Sequence, residues 1–157
     1  DDTLLRLLSH NVPIVSGLYY RRPPPLIHPS MWKLASETKC PACGEIRSLK
    51  AGRYNPITDF PPNALVEIDA VGMGCCLVRR RVFERLKQLD PKAPFFRWTQ
   101  GWVKPDEHGV GGVSEDFFFT DRCIDAGFKV LVDTGCIVGH VIEAKLVEGG
   151  RVEGLQY

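Results

Sequence analysis

Apolar residues recur along this chain at two different spacings, and the changes of spacing mark out its elements. Leu4, Leu5, Leu7 and Leu8 flank Arg6 just after Asp2 and Thr3. That pattern predicts a short helix capped by Asp2, with its leucines facing inward. Asn11 and Pro13 end it. The next run, Ile14-Val15-Ser16-Gly17-Leu18-Tyr19-Tyr20, predicts a strand. Pairing should stop at prolines 23–25, which have no amide hydrogen to donate.

From about Leu26 to Leu65 neither period is sustained, and Pro, Gly, Ser and Asn are frequent. An irregular excursion with one hairpin is expected there. Order returns at Val66-Glu67-Ile68-Asp69, a short strand, and at Cys75-Cys76-Leu77-Val78, an apolar run of strand length. Val82, Phe83, Leu86 and Leu89 then recur at helical spacing until Asp90-Pro91. After the aromatic residues Phe95, Phe96, Trp98 and Trp102 and a turn-rich loop over 106–112, Ser114 stands as an N-cap. Glu115 and Asp116 fall in the first turn, where the helix dipole favours negative charge. The helix should end at Gly127. Phe128–Val132 and Cys136–Ile142 are predicted strands, and the tail beyond Val147 is expected to fray. Alternating strands and helices in the second half predict one α/β domain over residues 1–157, a mixed sheet with flanking helices and a long irregular insertion at 26–65.

Composition narrows the function classes. The 157 residues carry 20 Lys and Arg against 19 Asp and Glu, so neither a broad nucleic-acid-binding face nor a polybasic membrane anchor is expected. The Arg79-Arg80-Arg81 cluster fits a solvated corner between strand and helix. No apolar run approaches the ~20 residues of a membrane span. Asp1-Asp2-Thr3 begins neither with Met nor with a signal peptide, and a piece of a longer or processed protein is expected. Six cysteines lack the density of a secreted disulfide scaffold, which favours a reducing compartment, cytoplasm by default.

Five groups of residues offer chemistry. Glu115 and Asp116 at a helix start stay ionised because unpaired backbone amides favour the charged form. Such a carboxylate suits a general base, and it equally suits plain capping at about 0.5 kcal/mol. His140, after Val138-Gly139, can ligate a divalent metal or serve as a hydrogen-bonded structural residue. Asp69-Ala70-Val71-Gly72-Met73-Gly74 places two glycines before a strand, where a ligand can approach the backbone or a tight turn can form. It is no dinucleotide fingerprint, since the third glycine is absent. Cys40-Pro41-Ala42-Cys43 supplies half of a tetrahedral zinc site. Cys75, Cys76, Cys123 and Cys136 fall in predicted core elements, where thiols act as small apolar groups. Trp98 and Trp102 offer indole faces for a sugar ring or for simple burial.

The order of Asp2-Thr3-Leu4-Leu5-Arg6-Leu7-Leu8, Pro13 to Tyr20, Glu67 to Gly74, the strand and helix through Val82-Phe83, Ser114-Glu115-Asp116, Ala126-Gly127 and Val138-Gly139-His140 resembles the C-terminal part of a family 2-type glycosyltransferase of GT-A fold. The likeness covers most of the chain outside 26–65. It implies a nucleotide-sugar donor, an acceptor hydroxyl and a Mn²⁺ or Mg²⁺ ion. By resemblance Asp116 is the catalytic base and Glu115 an acceptor or donor-sugar contact. Gly72 to Gly74 border the donor sugar, with Asp69 and Met73 in the same segment, and His140 ligates the metal. The family's Asp-x-Asp motif is absent from these 157 residues. The nucleotide half is therefore expected from a missing N-terminal segment or another chain. From a different class, a non-catalytic structural or binding module with a zinc clip at Cys40 and Cys43 fits the same sequence. A redox or zinc-ribbon protein is a third alternative.

Overall fold

The computed structural model describes residues 2–21, 28–34, 38–39, 46–47, 54–98, 114–139, 144–147 and 151–154. Its centre is strand β1 (Ile14–Leu18), buried at all five positions, as expected for a strand covered on both faces. β2 (Tyr20–Arg21) pairs with β3 (His28–Pro29). β4 (Met31–Leu34) follows, then the short pair β5 (Thr38–Lys39) and β6 (Ile46–Arg47), and β7 (Tyr54–Pro56). β8 (Leu65–Ile68), β9 (Ala70–Val71), a 3-10 turn (Met73–Cys75) and β10 (Cys76–Val78) lead into the second half. β11 (Val130–Ile137) completes a four-stranded mixed sheet in the order β10-β1-β11-β8. Only the β1–β11 pair in it is parallel.

Alternation along β1 separates two apolar layers. Ile14 and Leu18 face the larger core, with Val130 and Val132 of β11 and Ile68 of β8. That face is covered by α2 (Arg80–Leu89) through Val82 and Leu86, and by α3 (Glu115–Asp125) through Phe119 and Cys123. Val15 faces the other way, onto Leu7 of α1 (Thr3–Ser9) and Cys136. The class inferred from the hydrophobic pattern, α/β with a mixed sheet and flanking helices, is the one observed.

The segment expected to be irregular contains structure. β4 forms the middle of a second, antiparallel sheet ordered β7-β4-β9, and its Met31 and Trp32 are 0% and 5% exposed. The signal was weak because each strand spans only two to four residues, too few for a period to register. Phe128–Val132 and Cys136–Ile142, expected as two strands, give way to β11, which is continuous through Thr134-Gly135. Beyond Val147 the backbone pairs β12 (Ala144–Val147) with β13 (Arg151–Gly154). In α1 the Asp2 side chain makes no capping hydrogen bond. Leu7 is buried there, whereas Leu4, Leu5 and Leu8 are 59%, 66% and 44% exposed. Among the described residues no helix is long and apolar enough to cross a membrane.

Candidate functional site

Ser114 begins α3 as expected, its Oγ accepting from the Phe117 amide. Gly127 ends the turn beyond it with a positive φ of 88°, a conformation that costs a residue without Cβ little. The rotation of α3 is set by its aromatic side chains. Phe119 is fully buried, and the Phe117 ring centroid lies 4.9 Å from that of Trp32 and 4.6 Å from that of Tyr54. Tyr54 also donates to the Asp121 carboxylate at 2.8 Å. Burial, and next that bond, push the Tyr54 hydroxyl far above its ordinary range, so it remains a donor. Phe117 thereby pins α3 to the second sheet one residue after Asp116.

Held this way, Asp116 meets the glycine segment. The Met73 amide donates to its Oδ2 at 3.3 Å. Beside it, Glu115 Oε2 is buried with no hydrogen-bond partner among the described residues. Leaving a buried acceptor unsatisfied costs about 1–3 kcal/mol; Ser30 Oγ is in the same condition.

Gly72 and Gly74 are explained by a neighbour inside the protein. Gly72 has ordinary extended geometry, φ −74° and ψ 148°, so no left-handed turn requires it. A Cβ there would stand 2.1 Å from Tyr19 Oη and 2.5 Å from Ser30 Oγ. One on Gly74 would stand 2.9 Å from Tyr19 Cζ. The Gly74 amide donates to Tyr19 Oη at 3.1 Å. The glycines let the tyrosine lie across the segment that carries the Met73 amide to Asp116.

The other expected site residues divide. Asp69 is turned to β4, where its carboxylate accepts from Lys33 Nζ at 2.9 Å and from the Leu34 amide at 2.7 Å. Trp98 is 60% exposed, which removes simple burial as its explanation. His140, Trp102, Cys40 and Cys43 lie outside the described residues. Among those described, no group of three or more His, Cys, Asp or Glu side chains is placed to hold a metal ion. The divalent ion that the resemblance implies would depend on His140. Cys75, Cys76, Cys123 and Cys136 are free thiols. Burial pushes those of Cys76 and Cys123 up to about 12, in keeping with core residues.

A second polar cluster escaped the sequence reading. Asp133, 2% exposed at its side chain, accepts from Arg6 through both oxygens, at 2.6 Å from Nε and 2.9 Å from Nη2. His10 Nε2 lies 2.7 Å from it and the Gly135 amide donates at 2.9 Å. The Arg6 contact, aided by His10 and Gly135 and opposed by burial, holds the Asp133 carboxyl well below the usual carboxylate range. A signal was available: Asp133 directly follows the apolar run Val130-Leu131-Val132 at the end of the expected strand Phe128–Val132, and a charge carried into a core demands a partner. No family model, curated protein or solved structure matches the chain.

Proposed function

We propose that this chain is the acceptor-side and catalytic part of a metal-assisted glycosyltransferase, moving a sugar from a nucleotide-sugar donor to an acceptor hydroxyl. The observation that carries the proposal is the meeting of Asp116 with the Met73 amide between Gly72 and Gly74. Two segments, one singled out for base chemistry and the other for close approach of a ligand, are neighbours in space, although 43 positions apart in the chain. The buried, unpaired oxygen of Glu115 adds a second acceptor beside them.

In this proposal Asp116 takes the proton from the acceptor hydroxyl as its oxygen attacks the anomeric carbon and the bond to the diphosphate breaks. The helix N-terminus favours negative charge at this position, and the Met73 amide orients the carboxylate. Glu115 is the sugar contact that the resemblance implies, and the exposed indole of Trp98 offers a stacking face. A base beside the attacking hydroxyl fits direct displacement and favours inversion, with retention as the alternative. Mn²⁺ or Mg²⁺ held with His140 would offset charge on the departing diphosphate. Because these 157 residues contain no Asp-x-Asp, the nucleotide would be held with another segment or chain.

The test is transfer from a panel of nucleotide sugars by the full protein and its Asp116→Asn variant. Turnover should drop by about 10²–10⁴-fold, the usual worth of a positioned base, while donor binding by calorimetry is retained. Unchanged turnover in the variant excludes Asp116 as base. Absence of donor binding by the full protein, together with stoichiometric zinc lost on Cys40→Ser, would establish the non-catalytic module instead.

A further inference from the structure

On the face of the sheet away from the larger core, two thiols lean over the same glycine. A Cβ on Gly17 would stand 3.2 Å from Cys75 Sγ and 3.4 Å from Cys136 Sγ. The two sulfurs are thus no farther apart than those two lengths laid end to end. The arrangement has a local cause. Gly17 is level with Asp133 on β11, but the next residue, Leu18, is level with Ile137. The extra residues form a bulge held by the Asp133 bond to the Gly135 amide and by Thr134 Oγ1, which donates to the Pro61 carbonyl. A bulge re-aims side chains, and this one turns Cys136 over Gly17. From the opposite side Cys75 is brought in by the Ser16 hydroxyl, which donates to its carbonyl at 2.8 Å.

We propose that Cys75 and Cys136 form a two-sulfur site for a soft monovalent cation, copper(I) by its chemistry. Neither sulfur is in a disulfide, and the absence of a side chain at Gly17 lets both come close to the strand. Thiolate sulfur selects soft ions. Zinc takes four ligands in structural sites, and no group of three or more metal-ligating side chains exists among the described residues. Two sulfurs alone match an ion content with low coordination. A cleft of about 420 Å³ lined by Thr3, Leu4, Leu7, Cys75 and Leu77, among others, opens onto Cys75, while Cys136 lies behind it, 5% exposed. On binding, each thiol releases its proton, two copper–sulfur bonds form and no electron moves. The net negative charge that results lies near Arg6, whose guanidinium runs beside Gly135.

The inference is independent of the transferase proposal and is tested without activity. The full chain carrying Cys40→Ser and Cys43→Ser, which removes the competing pair, is titrated anaerobically against copper(I) held by bathocuproine disulfonate, with native mass spectrometry for stoichiometry. One copper per chain is expected. Adding Cys75→Ser or Cys136→Ser should abolish it, while Cys76→Ser, whose side chain packs against the larger core, should not. To guard against a misfolded variant, alkylation of Cys75 is followed by peptide mass spectrometry in the chain without changes at 75 or 136, and copper should slow it. Copper retained by both single variants, or Cys75 alkylated at the same rate with and without copper, overturns the proposal.

Discussion

Arg6 and Asp133 stand 127 positions apart and meet in a two-point ion pair that ties α1 to β11. The carboxylate end of the pair is buried and the guanidinium is 43% exposed. Arg6 reaches it from a helix with only Leu7 buried, so the ion pair supplies anchorage that apolar contact on α1 lacks. Asp133 also fixes the bulge through the Gly135 amide. One residue therefore governs both the seat of α1 and the course of β11.

Asp133→Asn should lower the melting temperature at neutral pH, by more than Arg80→Ala, whose exposed pair with Glu84 is worth under about 0.5 kcal/mol. The folded-state carboxyl lies below its ordinary range, so its stabilisation is complete above the unfolded value near ~3.9. It shrinks as pH falls further and vanishes below the folded value. Thermal unfolding of both proteins between neutral pH and pH ~2 should show the gap narrowing as the pH falls through ~4; a gap that does not narrow there would contradict the assignment.

Gly72→Ala should destabilise by about 1–3 kcal/mol, the cost of overpacking, because its methyl would collide with Tyr19 Oη and Ser30 Oγ. Tyr19→Phe removes the hydroxyl and should relieve part of the collision. Chemical denaturation of the double variant is expected to cost less than the two single changes added together. Strict additivity would mean that Tyr19 is not what Gly72 accommodates.

For the proposed transferase, His140→Ala should raise the Mn²⁺ concentration for half-maximal transfer by at least about tenfold, by comparison with the effect of weaker changes around metal sites. Superimposable metal titrations would remove His140 from the metal site and leave the base assignment to be judged by Asp116→Asn alone.

Cys76 and Cys123, their thiols held up at about 12 mainly by burial, should resist iodoacetamide at pH ~8, since the thiolate is the nucleophile. Both should react once the chain is unfolded in denaturant. Mass spectrometry of the labelled peptides gives the comparison, and rapid native labelling of Cys123 would contradict its place in the core.

Local pattern determined β1, α2, α3 and the α/β class: runs such as Val82, Phe83, Leu86 and Leu89 carry their geometry in their spacing, and Ser114 and Gly127 bracket α3. The capping of α3 by Ser114 was legible for the same reason: a cap is a contact over three residues. Tertiary structure alone decided which residues meet. Asp116 and Met73 are brought together by the packing of α3 on the second sheet, Arg6 and Asp133 by the seat of α1 on β11, and the two thiols over Gly17 by strand order and a bulge. No local spacing encodes those features, since the register of β1 against β11 is set by the packing of two faces at once. The glycines at 72 and 74 show the difference most plainly. Their lack of side chains was visible in the sequence, but the group that needs the space, Tyr19, is more than fifty residues away in the chain and becomes a neighbour only when both sheets pack.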